Sequence, residues 1–164
     1  MVKYLFSVKI DIAKTAFNSE LSLPSMNKSS LTYGHSITVY YEDTDVAGVV
    51  YYANYLKFIE RGRTEWLRSL GFDLKRVVEQ TNRMFVVRNI SANYNYPAFL
   101  DDNLIVETSL VRLRKASFEL NQIVSRDTRQ LFESKVTLAC VDSAAFVPKP
   151  IPETIYTAVA QWKT

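Results

Sequence analysis

An acidic loop is the segment of this sequence best suited to chemistry. Residues 42–48 read Glu-Asp-Thr-Asp-Val-Ala-Gly and stand just before a predicted helix. The first turn of a helix has unpaired N–H groups and a partial positive charge, which can stabilise a developing oxyanion. A carboxylate beside it can attack a carbonyl or activate water. The pattern suits acyl transfer, but acids before a helix also serve as simple caps, so the loop alone leaves both interpretations open.

The rest of the composition excludes several other chemistries. The 164 residues include one His, His35, and one Cys, Cys140. An intramolecular disulfide is excluded, and any Ser-His or Cys-His catalysis would have to use His35. We expect His35 to be an ordinary surface residue just before the first strand and Cys140, within an apolar strand, to be an inert buried thiol. Nucleotide-binding glycine loops and zinc-protease motifs do not occur, so we predict no metal and no cofactor.

Charge and hydropathy argue against nucleic-acid and membrane partners. The formal net charge is only +3, and two of these charges come from the first 34 residues. No basic run is long enough to follow a phosphate backbone, so we expect no nucleic-acid partner. Neither a secretory signal core nor an apolar stretch of about 18 residues occurs. We therefore expect a cytoplasmic protein without a membrane span.

The chain is predicted to hold one domain with an N-terminal extension. Its length fits a single domain, and its 48% hydrophobic fraction is typical of a globular protein. Residues 1–34 differ from the rest, because they become rich in Ser, Asn and Lys towards their end. We interpret 1–34 as an extension that is either poorly ordered or partly an artefact of the gene model, in which case Met26 is the true start and residues 1–25 are the artefact. The domain is predicted over 35–164.

Hydrophobic periodicity predicts one long helix among strands. Apolar alternation indicates a strand over 37–41, and helical spacing indicates a helix from about 53 to 70 that ends at a left-handed Gly71. Gly62 in mid-helix costs about 1 kcal/mol relative to Ala, which suggests close packing at that point. A short helix near 155–162 closes the chain. Four further strands, predicted as consecutive antiparallel neighbours, complete an α+β fold with one helix covering a sheet: 84–96, 103–114, 117–126 and 131–142.

Longer motifs identify a family. The relevant stretches are Val-Tyr-Tyr-Glu-Asp-Thr-Asp at 39–45, Gly-Val-Val-Tyr at 48–51, Asn-Tyr at 54–55, Glu-Arg at 60–61, Arg-Thr-Glu-Trp-Leu-Arg at 63–68, Phe-Val-Val-Arg at 85–88, Tyr-Pro-Ala at 96–98, Leu-Asp-Asp at 100–102 and Cys-Val-Asp at 140–142. Together they closely resemble the YbgC-like acyl-CoA thioesterases, relatives of 4-hydroxybenzoyl-CoA thioesterase. The resemblance extends over about 37–152. It implies a hotdog fold, in which an antiparallel β-sheet wraps around one long central α-helix.

The resemblance also implies residue roles around the acidic loop. Asp45 matches the catalytic carboxylate of the family, acting either as a nucleophile or as a general base for water. Backbone N–H groups of Tyr52 and Gly48 would stabilise the oxyanion, and Gly48 would also let the loop pack closely. Many relatives have His where this chain has Tyr52, so no side-chain role is carried over from that His. Tyr51, Tyr52 and Tyr55 are expected to line the acyl pocket.

Substrate and assembly follow from the same resemblance. The expected reaction is hydrolysis of acyl-CoA, or alternatively of acyl carrier protein thioesters, to free acid and thiol. The resemblance places Arg114 and Lys115 near the pantetheine and nucleotide end, and Arg88 follows an apolar strand. These three cations are expected to contact the CoA phosphates, with surface ion pairs as the alternative. The family works as homodimers, often paired into tetramers, with active sites at the subunit interface. Two alternatives are a partner-binding protein of the Tol-Pal or phospholipid-synthesis machinery, with weak or no hydrolysis, and a hotdog dehydratase, which would need a catalytic His.

Overall fold

A computed structural model describes residues 31–162 of the chain. Most of the predicted extension, including Met26, lies outside the described residues. The first strand begins at Thr32, so 32–34, which we assigned to the extension, belong to the sheet. His35 likewise lies within that strand and is half-buried. In chain order the elements are β1 Thr32–Thr38, α1 Asn54–Ser69, α2 Leu74–Thr81, β2 Arg83–Tyr94, β3 Asn103–Arg114, β4 Ser117–Arg126, β5 Arg129–Asp142 and α3 Glu153–Ala160.

The five strands form one antiparallel sheet in the order β1-β3-β4-β5-β2. The expectation that β2 and β3 are neighbours is wrong, because β2 pairs with β5 at the far edge. The segment between β2 and β3 has the length of a hairpin loop, but its backbone N–H and C=O groups form hydrogen bonds with residues outside these two strands. Asp101 N–H donates to Val39 O at 3.0 Å, and Val50 N–H donates to Ala98 O at 2.8 Å. These bonds hold the segment across the end of the sheet.

Helix α1 packs on the sheet at the predicted glycine. Its buried face contacts β1, β3 and β4. A Cβ on Gly62 would lie 2.5 Å from Val106 Cγ1, so only glycine permits this approach of helix and strand. The helix ends as predicted at Gly71, where φ is +91° and the N–H donates to Arg68 O at 2.8 Å. Prediction and structure agree on α1 and on most strand bounds to within a few residues.

Helix α2 was not predicted, although Leu74, Val77 and Val78 recur at helical spacing. Its eight residues are fewer than the window of about 11 or more over which helical periodicity is normally recognised. Its start did carry a local signal. Asp73 caps the helix by accepting a hydrogen bond from Arg76 N–H at 3.1 Å, which is the usual role of Asp at this position. Within residues 31–162, no helix is both long and apolar enough to cross a membrane.

The β2 edge is left partly uncovered. Val87, Ile90 and Tyr94 lie on the helix side of β2 but remain exposed. Their partners on β5 are buried, because α1 covers the middle of the sheet and not this edge: Leu138, Val136 and Phe132. An apolar edge strand of this length is a surface on which a second strand can pair.

Candidate active site

Asp45 stands at the tip of a narrow hairpin. Thr44 and Val50 form a β-bridge, and Asp45 N–H donates to Val49 O at 2.9 Å. One carboxylate oxygen, Oδ1, accepts a hydrogen bond from Ala47 N–H at 2.8 Å. The other oxygen, Oδ2, has no donor within residues 31–162, and the side chain is exposed. The loop therefore orients the carboxylate through one oxygen and leaves the other open to a reactant.

The neighbouring Asp43 is a structural residue. It is buried, and its Oδ2 accepts a hydrogen bond from Tyr40 N–H at 3.0 Å. Its main-chain oxygen accepts from Tyr51 N–H and from Asn54 Nδ2, each at 2.9 Å. These bonds attach the acidic loop to the start of α1. Of the two carboxylates in Asp-Thr-Asp, only Asp45 faces outward.

The start of α1 offers free N–H donors. Asn54 N–H is bonded to Tyr51 O at 2.8 Å, whereas the N–H groups of Tyr52 and Ala53 have no acceptor in the part of the chain that the structure describes. Ala53, at the helix N-cap, has no side chain able to cap these donors. They combine with the positive end of the helix dipole to favour an anionic oxygen. The Tyr52 N–H is thus available to a hydrogen-bond acceptor, and its role as an oxyanion donor stays a prediction.

Gly48 has a different role from the expected one. Its N–H donates to Asp45 O at 2.9 Å and is not available to an oxyanion. A Cβ at Gly48 would meet nothing within 4 Å, so close packing does not require glycine either. The requirement is conformational, because φ is +74°, a region that residues with a Cβ enter at a cost. Both predicted functions of Gly48 are corrected: it shapes the hairpin that carries Asp45.

Three tyrosines line the surface beside the helix start. The side chains of Tyr51 and Tyr52 are 43% and 58% exposed, and their rings lie 4.6 Å apart. Tyr94, which the sequence analysis did not single out, places its ring edge against Tyr52 and donates its hydroxyl to Tyr52 O at 3.2 Å. Burial raises the pKa of Tyr94, so this hydroxyl remains a donor at neutral pH. Tyr51 and Tyr52 are therefore open to an acyl group.

Tyr55 does not line this surface. It is only 3% exposed, and its ring stacks on Phe132 with centroids 5.1 Å apart. Its hydroxyl accepts a hydrogen bond from Ala98 N–H at 3.0 Å, and burial raises its pKa. Because Ala98 O in turn accepts from Val50 N–H, Tyr55 supports the Asp45 hairpin from beneath. Its assignment to the acyl pocket is corrected to a core position.

A second group of contacts stabilises the hairpin, and the sequence analysis did not predict it. Asp102 pairs with Arg126, and its Oδ2 accepts a hydrogen bond from Phe99 N–H at 2.7 Å. The Arg126 guanidinium lies 5.7 Å from the centroid of the Phe99 ring. Phe99 forms a β-bridge with Val49, so this group fixes the outer strand of the hairpin. The Leu-Asp-Asp motif at 100–102 was the sequence signal for this group of contacts, but it did not indicate that Asp102 pairs with Arg126.

The predicted CoA-binding cations are only partly brought together. Arg88 and Arg114 line one groove of about 440 Å³, together with Arg112. Glu119, which also lines the groove, alternates with buried neighbours on β4, so the groove lies mainly on the sheet face away from α1. Lys115 does not line it; its main-chain oxygen accepts a hydrogen bond from Ile151 N–H at 2.9 Å.

The groove and Asp45 lie at opposite ends of the sheet. Strand β4 begins opposite Arg114 and ends at Arg126, which holds the loop beside the Asp45 hairpin. Ten residues of strand span about 30 Å. A single protomer therefore keeps the arginine groove at the far end of the sheet from its own Asp45.

Comparison with known proteins identifies the family. The family model of the thioesterase-like superfamily matches residues 39–159. The chain belongs to the thioesterase-like superfamily. Among its relatives, the acyl-CoA thioesterase YbgC of Haemophilus influenzae is 40% identical over 126 residues, which cover 77% of this chain and 93% of that protein. An acyl-CoA thioester hydrolase YbgC of Escherichia coli is 40% identical over 128 residues, covering 77% of this chain and 92% of that one.

Solved structures of thioesterases share the fold. A probable thioesterase from Bartonella henselae superposes with a TM-score of 0.72 at 34% sequence identity, covering 74% of this chain and all of that one. The expected α+β hotdog fold is confirmed, as is the expectation that this member of the thioesterase-like superfamily is a thioester hydrolase.

Proposed function

We propose that this protein hydrolyses acyl-CoA thioesters through Asp45. The proposal rests on one observation: the open Oδ2 of Asp45 stands on a hairpin that is hydrogen-bonded to the loop carrying the free N–H of Tyr52. The names of the curated relatives support CoA as the thiol. Acyl carrier protein is the alternative thiol, and the assay below separates the two.

Two routes use these groups in the same way. The thioester oxygen accepts hydrogen bonds from the N–H of Tyr52 or Ala53, which polarises the carbonyl carbon. Either Asp45 attacks that carbon, expelling CoA thiolate and leaving an anhydride that water cleaves, or it removes a proton from a water that attacks. Both routes give free acid and CoA thiol through a tetrahedral oxyanion at the helix start. Asp45 needs no histidine for either route.

We infer that the working unit is a homodimer paired through β2, with a dimer of dimers as the larger assembly. Pairing two β2 edges about a two-fold axis covers the exposed Val87 and Ile90. It also reverses the second sheet relative to the first. The arginine end of one protomer then lies beside the Asp45 end of the other, so Arg88 and Arg114 serve the substrate of the partner.

The catalytic role of Asp45 is tested by Asp45→Asn. The substitution keeps the size of the side chain and removes its charge, so hydrolysis of acyl-CoA should fall about 1,000-fold or more while the fold and the oligomer persist. Release of thiol is measured on short, long and aromatic acyl-CoA and on one acyl carrier protein thioester. Asp101→Asn is the matched control, because Asp101 is exposed with a φ of +65°, which Asn accepts. Full activity of Asp45→Asn contradicts the proposal.

Binding of the CoA phosphates in the groove lined by Arg88 and Arg114 is tested by Arg88→Gln and Arg114→Gln. Each change removes one cation from the groove and should raise KM for acyl-CoA several-fold with little change in kcat. The same acyl group on pantetheine lacks the nucleotide phosphates, so its hydrolysis should not respond to either change. Arg76→Gln, an exposed residue on α2, is the control. An equal loss on acyl-pantetheine would show that the groove does not bind phosphate.

A further inference from the structure

A stripe of side chains on α1 leads from the oxyanion position into a second cavity. Leu56, Glu60, Arg63 and Leu67 follow one another at spacings of three or four residues and share one helix face. Tyr52 precedes Leu56 by four residues, so the stripe starts beside the free N–H donors. An open groove, which shares Glu60 and Arg63 with a cavity of about 200 Å³ between α1, α2 and β2, is lined by Leu56, Lys57, Glu60, Arg61 and Arg63.

The cavity is apolar except at one side. Its apolar lining comes from α1, α2 and three strands: Leu67, Leu74, Phe85, Val87, Phe118 and Leu138. The polar side consists of Glu60, Arg63 and Thr64 on α1. A cavity of this kind binds a ligand with a hydrocarbon body and one polar group in a defined place.

Arg63 lacks an acceptor for its donors. The side chain is half-buried, and within residues 31–162 it makes no ion pair or hydrogen bond. Glu60 is the carboxylate that acts on it, but Glu60 Oε1 already accepts a hydrogen bond from the Thr64 hydroxyl at 2.8 Å. Burial lowers the pKa of Arg63, yet a guanidinium remains cationic at neutral pH. Five N–H donors beside an apolar cavity are left to bind an anionic oxygen from elsewhere.

We propose that Arg63 binds a carboxylate at the far end of the acyl group, so that thioesters of dicarboxylic acids are the preferred substrates. The inference rests on the proposed hydrolase function and assigns its acyl specificity. Arg63 follows Tyr52 by eleven residues, which is about 16 Å along the helix. A helical side chain extends about one turn towards the N-terminus, which leaves about 10 Å between the guanidinium and the Tyr52 N–H. A chain of medium length spans that gap along Leu56.

The test compares substrates that differ only at the distal end. Rates of thiol release are measured on adipoyl-CoA against hexanoyl-CoA and on suberoyl-CoA against octanoyl-CoA. The wild-type protein should favour the dicarboxylic member of a pair in kcat/KM by about ten-fold or more, and Arg63→Met should abolish that preference. Arg76→Met is the matched control, since Arg76 is an exposed arginine on α2, outside the groove and cavity.

Two further variants keep the test decisive if Arg63→Met fails to fold. Arg63→Lys retains the charge but loses the planar fork, so the preference should weaken without vanishing. Glu60→Gln removes a negative charge close to the bound carboxylate, so the preference should increase. A preference that stays constant in both variants overturns the proposal.

The remaining outcomes separate this inference from the proposed function. Wild-type protein that hydrolyses neither these four thioesters nor any of the short, long and aromatic acyl-CoA named above contradicts the hydrolase function itself. Wild-type protein that hydrolyses others of that panel but none of the four overturns only the dicarboxylic preference. Wild-type protein that hydrolyses the four without favouring the dicarboxylic members overturns only the role of Arg63. Equal loss of activity on both members of a pair, together with dissociation of the oligomer, assigns Arg63 to an ion pair with a second copy and also overturns it.

Discussion

Asp43 and Asp45 lie two residues apart in the same loop but have opposite environments. Asp43 is buried and hydrogen-bonded, whereas Asp45 is exposed with one oxygen open. The short 3₁₀ turn over Tyr41–Asp43 ends between them, so the chain changes direction there. An identical side chain is therefore structural at one position and available for chemistry at the other.

Gly48→Ala tests how far the hairpin depends on its left-handed glycine. A Cβ at a φ of +74° should lower the free energy of unfolding by about 1–2 kcal/mol. It should also reduce kcat, because the bond from Gly48 N–H to Asp45 O helps to hold the carboxylate. Urea unfolding and thiol release measure the two effects.

Gly34→Ala is the control for Gly48→Ala. Gly34 does not have a positive φ, and its Cβ would make an ordinary contact of 3.6 Å with Ile105 Cγ2. We expect the free energy of unfolding of Gly34→Ala to stay within about 0.5 kcal/mol of that of the wild type. Equal effects at the two glycines would contradict the conformational role of Gly48.

At the scale of elements, α1 uses its faces for different purposes. One face, with Phe58, Ile59 and Trp66, is buried on the sheet. The start of the helix offers N–H donors. A third surface, around Arg63, lines the open groove that includes Leu56 and Glu60. Gly62 sets the distance between α1 and β3, so it positions the other two surfaces relative to the sheet.

Gly62→Ala tests that helix-to-sheet distance. The new Cβ would lie 2.5 Å from Val106 Cγ1, an overlap that costs about 1–3 kcal/mol and exceeds the gain of about 1 kcal/mol in helix propensity. Denaturant unfolding should show net destabilisation.

The double variant Gly62→Ala with Val106→Ala is compared with the two single variants. Removing the valine methyl groups relieves the overlap, so the two changes together should cost at least about 1 kcal/mol less than their sum. Strict additivity would show that Gly62 and Val106 do not limit the approach of α1 to the sheet.

At the scale of the whole molecule, two parts of the proposed site are separated within one chain. The Asp45 hairpin is braced at the Arg126 end of the sheet, and the arginine groove lies at the other end. The apolar β2 edge runs between these two ends. In the proposed homodimer, a two-fold axis at that edge would bring unlike ends of two chains together, so we expect activity to depend on assembly.

Ile90→Asp tests this dependence. Ile90 is 39% exposed on β2, so the protomer should still fold, but a charge at the paired edge should weaken the dimer about 100-fold or more. Activity should decline with the dimer at low protein concentration. Sedimentation and thiol release across a dilution series measure the two quantities.

Ile105→Asp is the matched control for the edge. Ile105 is 40% exposed on β3, which lies inside the sheet with a partner on each side. Its substitution should leave the β2 dimer intact. Dissociation by both variants, or by neither, would contradict pairing through β2.

The sequence by itself determined the features that depend on local spacing. Residue periodicity was sufficient for α1 and for the approximate bounds of β2 to β5, and Gly62 and Gly71 marked a close approach and a helix end. The resemblance to a family supplied Asp45 and the Tyr52 N–H. These features depend on neighbours along the chain, so their signals are present in short windows of residues.

Only the tertiary structure decided which distant groups are in contact. In the structure β2 lies at the far edge of the sheet, Tyr55 is buried and the Gly48 N–H is bonded inside the hairpin. Among residues 31–162, Arg63 has no ion-pair partner. The structure also places Arg114 about 30 Å of strand away from the Asp45 end. Each result depends on the partner that a backbone or side-chain group finds across the fold, and spacing along the chain does not specify that partner.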